Sequence, residues 1–105
     1  MKPDAAAQTQ KLLESLWIRN LPMIKERLML LDRAAETARS AHLTPPLRRD
    51  AAMTAHKLAG SLGMFGYTEG TGIARSLELL FDGPAHPDPD RLSSLAQELR
   101  RSLNL

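Results

Sequence analysis

The chain of 105 residues has no cysteine, one tryptophan, one tyrosine and two phenylalanines, and β-branched residues are scarce. Without cysteine there is no disulfide and no thiolate metal site, which suits a reducing compartment and makes a cytoplasmic location the expectation. The low aromatic and β-branched content leaves little to build sheets from. No apolar run reaches the ~18 residues that a membrane span needs, and no signal-peptide pattern opens the chain, so no membrane role is expected. A charge excess of one sign is also missing. Fourteen Lys and Arg face twelve Asp and Glu, interleaved along the chain, for a formal net charge of +2. Arg48-Arg49 and Arg100-Arg101 are short pairs, with neither Trp17 nor Tyr67 interleaved among them. Nucleic acid is therefore not an expected partner. His42, His56 and His86 lie in separate segments without a His-x-x-x-His spacing, so no metal is expected. Ser61 follows His56 by five residues, about 140° round a helix, and cannot complete a Ser–His dyad.

What the chain does have is leucine and alanine, within a hydrophobic content of 43%. That composition in a single domain of this size predicts an all-α fold, an antiparallel up-down-up-down four-helix bundle with an N-terminal helical extension. Apolar residues recur at Leu13, Trp17, Leu21, Ile24, Leu28, Leu31, Ala35 and Ala38, in steps of three and four. Pro22 interrupts this stripe without shifting its phase. One long helix kinked at Pro22 is preferred to a new helix capped by Asn20. Met1 to Asp4 are expected to fray, with Pro3 or Asp4 starting the helix. Residues 1–20 read as the extension, continuous with the first bundle helix, and 21–105 as the bundle.

Thr44-Pro45 predicts a cap and first turn for a second helix running to about Met64. Gly63 and Gly66 bracket its end, and Phe65 is expected to plug the core at the corner. A third helix starts near Tyr67 or Thr68 and buries Ile73, Leu77, Leu80 and Phe81, until Asp82-Gly83-Pro84 stops it. Asp88-Pro89 opens a fourth, with Leu92, Leu95, Ala96, Leu99 and Leu103 inward. Met23, Met29, Met53 and Met64 are expected to fill gaps in the core.

The second helix carries the chemistry. Leu47, Ala51, Ala55, Leu58, Leu62 and Phe65 form its apolar stripe. His56 lies about 160° from the stripe's centre and is expected to face water. Its neighbours one and two turns away are Ala52, Met53, Ala59, Gly60 and Gly63, four of the five being Ala or Gly. A mid-helix glycine costs roughly 1 kcal/mol relative to alanine. The two glycines therefore read either as room for close helix packing or as a bare clearing in which a partner reaches the imidazole.

Ala55-His56-Lys57-Leu58-Ala59-Gly60, with Gly66, Ile73 and Leu77-Glu78 beyond, resembles the histidine phosphotransfer (HPt) domain family. That family carries Ala-His-x-Leu-Lys-Gly, a glycine ten residues after the histidine, and then apolar positions leading to Leu-Glu. Two positions depart from the pattern. Ala59 replaces the lysine that would pair with a phosphoryl group, and Gly70 replaces an apolar residue. Lys57 lies about 100° round the helix and substitutes poorly.

The resemblance implies that His56 is a phosphoryl acceptor and the protein a carrier, not an enzyme. The partners it implies are a response-regulator receiver domain and a hybrid histidine kinase. It holds no cofactor of its own, and Mg²⁺ belongs to the receiver. A docking face of Arg49, Ala52, Met53, Lys57, Ala59, Gly60 and Gly63, with a strip from the first helix, is expected. A monomer is expected in preference to a dimer. The competing reading is a non-phosphorylated interaction or dimerisation module that docks on a receiver, with Ala59 as its supporting feature.

Overall fold

A computed structural model describes residues 4–105 of the chain; the fraying expected at Met1 to Pro3 lies outside those residues. Four helices follow one another: α1 (Asp4–Ser40), α2 (Pro45–Met64), α3 (Thr68–Asp82) and α4 (Pro89–Ser102). α1 is one helix of 37 residues that passes through Pro22 without a break. Asn20 caps nothing; its amide donates to the Leu16 carbonyl at 2.7 Å within the same helix.

The local signals act where the sequence puts them. The Thr44 hydroxyl accepts from the Leu47 amide, and Asp88 accepts from the Asp90 amide, each followed by proline in the first turn. At the other end of α2, Gly66 takes φ +84°. Its amide donates to the Gly63 carbonyl while Tyr67 donates to the Leu62 carbonyl. This paired closure needs a left-handed residue between its two bonds, which glycine adopts without a steric cost.

Side-chain pairs set the helix directions. Trp17 stacks edge-on against Phe65 and Arg27 bonds Ser61, so α1 and α2 run antiparallel. His56 pairs with Glu78 and Ala59 with Thr71, which makes α2 and α3 antiparallel. Arg39 binds Asp90, and Arg100 binds Asp32, giving the same sense to α1 and α4. The result is the expected up-down-up-down bundle.

Its core joins Ile24, Leu28 and Leu31 of α1 to Leu58 and Leu62 of α2, Leu77 and Phe81 of α3, and Leu92 and Leu99 of α4. No helix among the described residues is long and apolar enough to cross a membrane.

Packing corrects several expectations. Ile73 and Leu80 are only partly buried, and Ala74 joins Leu77 and Phe81 on the buried face of α3. Phe65 does not plug the core; it sits half-buried on Trp17, outside the buried cluster. Met23, Met29, Met53 and Met64 are all exposed, because leucine and alanine already fill the interior.

Gly70 is buried where α3 crosses the ends of α2 and α4. A Cβ there would stand 3.2 Å from Leu62 Cδ1 and 3.3 Å from Leu103 Cδ2. The departure at Gly70 is thus a close approach, and the large residues facing it occupy the space of the missing side chain.

Candidate functional site

The site is built on the middle of α2, with Ala55 and Leu58 locking the helix into the core on either side of His56. The His56 side chain is 69% exposed, as its angular offset from the apolar stripe requires. Its Nδ1 lies 2.9 Å from Glu78 Oε2, on α3. The Glu78 carboxyl group is itself partly covered, with 29% of its side chain exposed.

An ionised carboxylate only accepts hydrogen bonds, so the contact assigns the imidazole proton to Nδ1. That tautomer leaves the lone pair on Nε2. The arrangement is an imidazole oriented by a neighbouring helix and open to solvent.

Around the imidazole runs an open groove of about 250 Å³, lined by Arg49, Ala52, Met53, His56, Glu78 and Asp82. It lies between α2 and α3, so the second wall of this groove comes from α3. Among the expected docking residues, Arg49, Ala52 and Met53 meet His56 in this groove. Lys57, Gly60 and Gly63 are exposed on α2 but do not line it.

Ala59 is a correction. Only 4% of it is exposed, because α3 covers that flank and Thr71 Oγ1 donates to its carbonyl at 3.4 Å. It belongs to the α2–α3 seam and not to the open face.

Gly60 distinguishes the two readings of the glycines. A Cβ there would meet nothing within 4 Å, so no helix packs against it. At Gly63 the nearest atom, Thr71 Oγ1, would stand at an ordinary 3.6 Å. Neither position is demanded by packing.

Two residues acquire roles that sequence reasoning did not assign. Glu78 is quoted above only as part of a pattern, yet it orients the imidazole; the Leu77-Glu78 pair after His56 was the signal available. Arg48 reads as half of a basic pair, but its guanidinium closes the end of α3 by donating to the carbonyls of Phe81, Gly83 and Ala85. Nothing local marks that partner. His42 and His86, distant in sequence, pack edge to face with ring centroids 5.1 Å apart. Among the described residues no group of three or more His, Cys, Asp or Glu side chains is placed to hold a metal ion.

Comparison with known proteins agrees with this geometry. A family model described as Hpt domain matches residues 10–104. Protein RcaC of Microchaete diplosiphon is 34% identical over 86 residues, which is 82% of this chain and 13% of the relative. The chain thus corresponds to a small part of that much longer protein. No solved structure matches it.

Proposed function

Because the chain belongs to the Hpt domain family, we propose that it is a phosphoryl carrier of two-component signalling whose acceptor is His56. The observation that carries the reading is the exposed imidazole held by Glu78 at Nδ1. The Nε2 lone pair attacks the phosphorus of a receiver's aspartyl phosphate. The N–P bond forms as the P–O bond to the aspartate breaks, and the carboxylate leaves with the electron pair. Throughout, the Nδ1 proton stays on the ring, bonded to Glu78.

No general base is needed for a neutral imidazole. The charge on the transferring group is met by the partner, whose aspartate site supplies Mg²⁺ and a lysine. This chain contributes the positioned nucleophile and a surface to dock against, and so acts as a carrier and not as an enzyme. The phosphoryl group comes from a hybrid histidine kinase or its receiver and passes to a response-regulator receiver, in the cytoplasm.

Incubation with a phosphorylated receiver and Mg²⁺ tests the reading. Acid-labile, alkali-stable label is expected on the wild type and absent from His56→Gln. Label that survives in His56→Gln rejects the assigned acceptor. Stable receiver binding with no label on the wild type favours the non-phosphorylated docking module.

A further inference from the structure

Phosphorylation of His56 would place a dianion in a groove that already holds two carboxylates, those of Glu78 and Asp82. Such a charge is retained where a cation faces it. We infer that Arg49 is that cation and binds the phosphoryl oxygens on His56, an assignment that rests on His56 being the acceptor.

Arg49 is the one basic residue lining the groove. It stands seven residues before His56 on the same face of α2, about 10 Å along the axis. Side chains on a helix lean toward its N-terminus, so the imidazole leans toward the turn that Arg49 borders, and the long Arg49 side chain turns back along the groove to meet the phosphoryl group. Between them lie Ala52, which is small, and Met53, which is flexible.

Other basic groups are engaged or misplaced. Arg27 is bonded to Ser61, Arg39 to Asp90, Arg48 to the end of α3 and Arg100 to Asp32. Lys57 and Arg75 are exposed but do not line the groove. Arg49 has no hydrogen-bond or ion-pair partner among the described residues. Its planar fork of donors suits phosphoryl oxygens.

Phosphoramidate, which hands its phosphoryl group to an imidazole and releases ammonia, loads His56 without any docking partner. Hydrolysis then breaks the N–P bond, leaving inorganic phosphate and the free imidazole. The half-life of the label in Arg49→Ala is expected to fall about 1.5- to 5-fold, the size of one exposed ion pair. Arg49→Lys restores most of it. In ³¹P NMR titration the phosphoryl group of Arg49→Ala should bind its proton at higher pH than in the wild type, because a cation favours the dianion. An unchanged half-life and titration in Arg49→Ala, or a loss confined to Lys57→Ala or Arg75→Ala, overturns the assignment. A wild type that takes no label from phosphoramidate removes the acceptor reading, and this assignment with it.

Discussion

His56 and Glu78 are separated by twenty-two residues, yet one hydrogen bond of 2.9 Å between them ties up Nδ1 and leaves Nε2 as the nitrogen available for the proposed transfer. Such a bond is worth roughly 0.5–1.5 kcal/mol, which shifts a tautomer ratio by about two- to tenfold. Glu78→Ala should therefore slow phosphoryl transfer by up to about that factor. Glu78→Gln, which keeps an acceptor oxygen, should retain most of the rate. Rapid-quench transfer from a phosphorylated receiver measures both, and equal loss in the two variants would mean that charge, not tautomer, is what Glu78 supplies.

At the same scale, Gly60 separates stability from access. A Cβ there enters open space, so Gly60→Ala should stabilise the fold by about 0.5–1 kcal/mol, read from chemical denaturation. Gly60→Phe should keep the fold and accept label from phosphoramidate, but lose transfer from a receiver. Ala59 shows the limit of angular reasoning. The helical wheel puts it near His56, but the wheel contains no neighbouring helix, and α3 covers that side.

Helix ends illustrate the element scale. The caps at Thr44 and Asp88 and the left-handed Gly66 are local devices, each closed by atoms within five residues, and each was legible in the sequence. The C-terminus of α3 is different. The Phe81 carbonyl, and those of Gly83 and Ala85 just beyond the helix, accept from Arg48, more than thirty residues earlier, whose charge also faces the negative end of the helix dipole. Arg48→Met should cost about 1–3 kcal/mol in urea denaturation, since it leaves those carbonyls without their charged donor. A cost no larger than that of a surface substitution would show that water replaces the guanidinium freely. The anchoring of α4 also crosses the bundle, through Arg39–Asp90 and Arg100–Asp32. These pairs are exposed enough that each contributes only about 0–1 kcal/mol.

Over the whole molecule, length divides what is packed from what is not. The extents are 59 × 21 × 21 Å, and 37 helical residues rise about 55 Å, so α1 alone spans nearly the long axis. α2 has 20 residues and reaches about 30 Å. The early turns of α1 therefore project past the other helices, and residues 5 to 12 are exposed throughout. Deleting residues 1–9 should change the stability of the bundle by no more than about 0.5 kcal/mol, as measured by thermal melting, because the side chains of residues 5–9 are exposed. A larger loss would place part of the folding energy in that projection.

Periodicity, caps and glycine positions were enough to specify four helices, their limits within a residue or two and most of their buried faces, including the solvent-facing place of His56. These features depend on bonds and steric limits between residues a few positions apart, so they survive in a one-dimensional reading. Which helix flanks the histidine depended on how the bundle closes. That closure put α3 beside His56, buried Ala59, brought Glu78 to Nδ1 and left four methionines on the surface. Contacts of this kind arise from the order and rotation of packed helices, for which a chain of residue names has no coordinate.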